Sequence, residues 1–197
     1  MGCVLEAEHI SVGFAGKQVL RDISFAMREG EIFGLLGPSG AGKTTLIKIL
    51  TGQLRQDAGY ASLLGADTRA LSAGEHEKIG IMMDCMGLYE RLSAYDNLAF
   101  YAELCHAPRC RVSDMLKRVG LYEARRTAVS KLSKGMKNRL SLTRALINDV
   151  KLLFLDEPTS GLDPSAAREI HRILARQREN GTAIFLTTHN MYEAENL

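Results

Sequence analysis

Near the amino end, apolar Val19, Ile23, Phe25 and Met27 alternate with polar Asp22, Ser24 and Arg28, the period of a half-buried strand. Glu29-Gly30-Glu31 reads as a turn. Ile32-Phe33-Gly34-Leu35-Leu36 is then apolar on both faces, as expected of a strand inside a parallel sheet. A glycine-rich loop follows, and Thr44 to Leu50 has helical character. In the middle of the chain, Ser93 reads as the N-cap of a helix over Ala94 to Cys105. Ser113 reads as the start of a second helix through Val119, and Ser133 as the cap of a third reaching about Ile147. Leu152 to Leu155 returns to a buried strand, Pro164 opens a long polar helix, and Ala183 to Thr187 is a further strand. Strands and helices alternating on both sides of a helical insert predict an α/β domain with an α subdomain.

The loop Gly37-Pro38-Ser39-Gly40-Ala41-Gly42-Lys43-Thr44 satisfies G-x-x-x-x-G-K-[ST] at every specified position, after a buried strand and at the opening of a helix. Its glycines let successive backbone N–H groups converge on phosphate oxygens, and the helix that follows presents its positive end. Lys43 supplies a point charge to the β- and γ-phosphates, and the Thr44 hydroxyl is suited to Mg²⁺. The expected nucleotide-binding residues here are Gly37, Pro38, Ser39, Gly40, Ala41, Gly42, Lys43, Thr44 and Thr45. Leu152-Leu153-Phe154-Leu155-Asp156-Glu157 is the matching second half: a buried strand carries Asp156 to its carboxyl end, where it can hold Mg²⁺ through water. Glu157 is placed to act as general base on an attacking water.

Composition adds boundaries. The 197 residues, 46% hydrophobic and 24% charged, are those of one ordinary domain. A balance of 25 Lys and Arg against 23 Asp and Glu gives +2, which points to no polyanionic partner such as DNA or an acidic membrane. No apolar run approaches the roughly 18 to 20 residues that cross a bilayer. The amino terminus lacks a secretory pattern, and Glu6 breaks the myristoylation pattern. Cys3, Cys85, Cys105 and Cys110 form no Cys-x-x-Cys pair and read as reduced thiols; Cys105, His106 and Cys110 fall short of structural zinc spacing.

On these motifs the chain resembles the nucleotide-binding domains of ATP-binding cassette (ABC) transporters, from about residue 4 to its end. The resemblance implies a P-loop NTPase core with an amino-terminal antiparallel β subdomain, made of residues 1–84 and 146–197, and an inserted α-helical subdomain over 85–145. It implies ATP and Mg²⁺ as cofactors. Phe14 falls where the family stacks an aromatic ring on adenine, a core phenylalanine being the plainer reading. Leu132-Ser133-Lys134-Gly135-Met136 resembles the family signature, whose serine and glycine, here Ser133 and Gly135, bind the γ-phosphate held by the other subunit. Ser160-Gly161-Leu162-Asp163 resembles the D-loop, which places Asp163 at the nucleotide interface. His189 resembles the switch histidine, so the implied catalytic set is Glu157, His189 and Lys43. The implied metal set is Thr44, Asp84 and Asp156.

Three features depart from the family pattern. Asp84 stands where a glutamine is usual; a carboxylate still ligates Mg²⁺ but adds negative charge beside the γ-phosphate. Lys134 and Met136 replace Gly and Gln in the signature, and Lys134 either reaches a phosphate or projects into solvent. The chain ends at Leu197, eight residues past His189, where the resemblance implies at least one more strand pair, so its carboxyl end reads as truncated.

Leu88 to Leu98 resembles the segment with which transporter ATPases grip a membrane subunit, in wording most like exporters of drugs and antimicrobial peptides. The implied partners are an integral-membrane transporter subunit and a second ATPase domain, as homodimer or heterodimer, with no nucleic acid. The implied location is the cytoplasm, peripheral on the inner face of the cell membrane and bound only through that partner. The other readings are a soluble ABC ATPase acting on a nucleic-acid or protein partner, and a cassette that binds ATP without turnover. No sustained heptads separate the phosphate loop from the signature, unlike the coiled-coil relatives.

Overall fold

A computed structural model describes residues 3–83 and 87–191. Strand β1 (Cys3–Phe14) turns back into β2 (Lys17–Arg28) through Ala15 and Gly16, at φ 49° and 80°, the two positive angles of a tight hairpin. Strand β4 (Ala58–Leu63) pairs with the other side of β1, and β5 (Ala66–Asp67) with β4, giving an antiparallel sheet in the order β2-β1-β4-β5. The second sheet is parallel. It runs β3 (Ile32–Leu36), β8 (Ala183–Thr188), β7 (Leu152–Asp156), β6 (Ile79–Met82).

Helices α1 (Lys43–Leu50) and α2 (Ala73–His76) precede β6. The helices α3 (Ala94–Leu104), α4 (Arg111–Arg118) and α5 (Lys134–Ala145) lie between β6 and β7 in the chain, and α6 (Pro164–Glu179) joins β7 to β8. Strands β7 and β8 are buried along their whole length, and period two sends their side chains to two different cores. Leu152, Phe154 and Phe185 join Leu5, Ile10, Met27, Leu46 and Ile47 in the core under the antiparallel sheet and α1. Leu153, Leu155, Ile184 and Leu186 join Leu98, Leu116, Leu140 and Leu174 in the core under the helices.

Two expectations change. Strand β3 is not buried on both faces: among the described residues β8 is its only neighbour, and Leu36 is 44% exposed. Helix α4 starts before Ser113, because Arg111 N–H donates to the Pro108 carbonyl at 3.0 Å and Val112 N–H to that of Arg109 at 3.2 Å. The other two caps hold, with Ser93 and Ser133 hydroxyls accepting from Asp96 N–H and Met136 N–H at 3.1 and 3.2 Å. Cys3, Cys105 and Cys110 carry free thiols, and no metal-holding group of three or more His, Cys, Asp or Glu exists among the described residues.

Candidate nucleotide site

The carboxyl ends of β3, β7 and β8 deliver the site, as open parallel sheets do. The phosphate loop leaves β3 with Gly37 N–H donating to the Thr188 carbonyl at 3.1 Å, tying it to the end of β8. Gly40 and Gly42 take left-handed angles of 81° and 90°. At Gly42 a side chain is excluded twice over, since a Cβ there would stand 2.8 Å from Leu20 Cδ2 and 3.1 Å from Val19 Cγ1. No side chain caps α1, so the N–H groups of its first turn stay available to an anion.

Lys43 is 7% exposed, and its ammonium donates to the carbonyls of Gly37 at 2.7 Å and Pro38 at 3.0 Å. It also pairs with Glu157 Oε1 at 3.1 Å. The other oxygen of Glu157 lies 2.7 Å from His189 Nδ1. Burial works against the ionised Glu157 carboxyl, but the hydrogen bonds and charges of Lys43 and His189 outweigh it and hold the group below its ordinary pKa. The backbone of Glu157 is left-handed at φ 50°, uncommon for a residue with a side chain, and its N–H donates to the Thr187 carbonyl at 3.0 Å.

Asp156 is 6% exposed. Its Oδ2 accepts from the Thr44 hydroxyl and its Oδ1 from the Thr187 hydroxyl, both at 2.5 Å. These are hard oxygen donors at the mouth of the loop, a set that fits Mg²⁺. Together Val19, Ser39, Gly40, Gly42, Lys43, Thr44, Thr45, Asp156, Glu157 and Ser160 line a cleft of about 360 Å³. A larger cavity of about 680 Å³ lies elsewhere, between α4 and α6, and none of the expected site residues lines it.

Phe14, Ser133, Gly135 and Asp163 do not line that cleft. Phe14 is 47% exposed at the end of β1, which excludes the core reading. Ser133 and Gly135 open α5, and Gly135 packs so closely on α6 that a Cβ would stand 2.8 Å from Ala166 Cβ. Lys134 is exposed, and its ammonium lies near Gly161, 2.4 Å from where a Cβ would be. Asp163 caps α6, accepting from Ser165 and Ala166 N–H at 2.9 Å; those two donors, that of Ala166 first, lower its pKa. Asp84 lies outside the described residues. Sequence reasoning did not single out Val19 or Thr187, neither of which belongs to a spaced motif, and of the Ser160–Asp163 stretch it chose Asp163 where Ser160 lines the cleft.

A strand ending in a phosphate loop, one strand removed in a parallel sheet from a strand ending in acids, is the arrangement of P-loop nucleotide-binding domains. Residues 20–160 match the family model for ABC transporters, and the chain belongs to that family. It is 44% identical over 183 residues to a fluoroquinolones export ATP-binding protein of Mycobacterium tuberculosis, covering 93% of this chain and 61% of that protein. It is 34% identical to the lantibiotic transport ATP-binding protein SrtF of Streptococcus pyogenes, over 98% of this chain and 83% of SrtF. Among solved structures, cbiO1 of Clostridium perfringens, part of the ABC transporter complex cbiONQ, superposes with a TM-score of 0.84 at 28% identity. That match covers 96% of this chain and 80% of cbiO1.

Proposed function

We infer that the chain is the ATP-binding and ATP-hydrolysing part of an ABC exporter of drugs or antimicrobial peptides. The observation that carries the reading is the unbroken line from Lys43 through Glu157 to His189 at the lip of the phosphate-loop cleft. Loop N–H groups and the first turn of α1 hold the β- and γ-phosphates. The arriving polyanion draws the Lys43 ammonium away from Glu157 Oε1, which frees that oxygen to accept a proton from water. His189 keeps the carboxylate oriented while it does so. Thr44 and Asp156, and in the family pattern Asp84, would hold Mg²⁺, which would supply positive charge against the phosphate oxygens. Two ATPase domains, alike or different, sandwich the nucleotides, each lying between one phosphate loop and the facing Ser133 and Gly135. Phe14 stacks on adenine, and Asp163 lies at the interface of the two copies.

No helix among the described residues is long and apolar enough to cross a membrane. The naming of the relatives as export and transport ATP-binding proteins supports an integral-membrane partner and a place on the inner face of the membrane. Its contact is the surface of Tyr89, Phe100 and Leu104, which are 48%, 42% and 63% exposed. Buried Asn97 braces that surface, exchanging hydrogen bonds with Tyr89 N–H at 2.8 Å and Tyr89 carbonyl at 3.0 Å. The names of the mycobacterial and streptococcal relatives support drug or peptide cargo.

The test is ATP hydrolysis by the purified chain with and without Mg²⁺, beside Glu157→Gln, with light scattering to follow association. The reading expects Mg²⁺-dependent turnover by the wild type. It expects Glu157→Gln to bind ATP, stall and accumulate as a dimer. ATP binding without turnover by the wild type overturns it.

A further inference from the structure

Helix α5 is joined to the segment just after Glu157 by contacts that the nucleotide cleft does not explain. Asn138, on the second turn of α5, is 4% exposed. Its Nδ2 donates to the Pro158 carbonyl at 2.9 Å, across twenty positions of sequence, while its Oδ1 finds no partner among the described residues. A buried amide satisfied on one side only is costly to stability compared with an apolar residue of the same size. What it does provide is a fixed position for the peptide next to Glu157.

That position matters because Glu157 sits in a left-handed conformation, fastened on its amino side by its own N–H to the Thr187 carbonyl. On its carboxyl side, Ser160 N–H closes a turn onto the Glu157 carbonyl at 3.1 Å. The Asn138 bond to Pro158 is the anchor of that turn to the helical core. One close approach runs parallel to it: a Cβ on Gly135 would stand 2.8 Å from Ala166 Cβ. The first turns of α5 and residues 157–166 therefore form one block.

We propose that Asn138 is a positioning residue for Glu157, which ties the amino end of α5 to the general base of the same chain. The inference rests on the proposed ATPase reading. Under it, α5 meets the nucleotide held by the facing copy, whereas Glu157 serves the nucleotide held by its own. Asn138 is then the link by which occupancy of one site is felt at the base of the other. Its side chain touches no phosphate and takes part in no proton transfer.

The test is a double-mutant cycle on the full chain, with steady-state hydrolysis and equilibrium ATP binding measured for each member. Asn138→Ala removes the donor. Asn138→Asp keeps the shape and replaces the N–H donor by an oxygen, so one variant remains usable if the other folds poorly. The expected result is a fall in kcat of roughly ten- to a hundredfold, with ATP affinity unchanged within about twofold. On the Glu157→Gln background, residual hydrolysis of radiolabelled ATP should be no slower with Asn138→Ala than without it, because the base being positioned is already gone. Two results overturn the inference while leaving the ATPase reading intact: kcat untouched in both Asn138 variants, or an Asn138 effect that multiplies in full with Glu157→Gln. Absence of turnover in the wild type overturns both together.

Discussion

Replacing Thr187 by Val keeps the shape of a fully buried β8 side chain and deletes one hydroxyl. That hydroxyl donates to Asp156 Oδ1 at 2.5 Å and accepts from Glu157 N–H at 3.2 Å. The second loss is small, since Glu157 N–H keeps its bond to the Thr187 carbonyl at 3.0 Å. The first is large, because the carboxylate is 6% exposed and water has little access to replace the donor. A hydrogen bond to a charged group contributes about 1.5–3 kcal/mol, and the added methyl of Val offsets a fraction of it. The expected destabilisation is therefore about 2 kcal/mol. For a chain of this size that lowers Tm by roughly 4–8 °C. Thermal and urea unfolding of Thr187→Val beside Thr187→Ser measures it; the serine keeps the hydroxyl and gives up about 1 kcal/mol of methyl burial. A loss under about 0.5 kcal/mol for Thr187→Val refutes the reasoning, for it would mean that Asp156 does not depend on this donor.

Other perturbations test other parts of the same argument. The depressed pKa of Glu157 is a stability term present above the unfolded value near 4.5 and lost as pH falls through the folded value. The stability gap between wild type and Glu157→Gln should therefore shrink between neutral pH and pH values below about 4. Equal gaps at both ends, measured by urea titration, contradict the ion pairing. Gly80→Ala should destabilise by roughly 1–3 kcal/mol or more, because a Cβ on β6 would stand 2.3 Å from the Ala145 carbonyl of α5; an unchanged Tm contradicts that packing.

The nucleotide loop, the Asp156–Glu157 strand end and the caps at Ser93 and Ser133 were legible because each is local. A phosphate loop needs its glycines within one turn, and a cap needs its oxygen two or three residues from the N–H that it satisfies. The Ser113 cap misled for the same reason: a serine at the right spacing lost to Pro108 and Arg109, whose carbonyls start the helix earlier. Strand β3 carried the apolar pattern of a central strand, yet pattern says nothing of how many neighbours a strand has. The residues missed altogether, Thr187 and Asn138, are threonine and asparagine in apolar company with no motif around them. Thr187 meets Asp156 across 31 positions and Asn138 meets Pro158 across 20, so only the packing of β7 on β8 and of α5 on the following loop brings them to the acids. Motif spacing identifies the groups that touch a nucleotide because the ligand imposes it. The groups that hold those side chains in place answer to the fold alone, and a buried polar residue with no local partner is the mark by which to search for them.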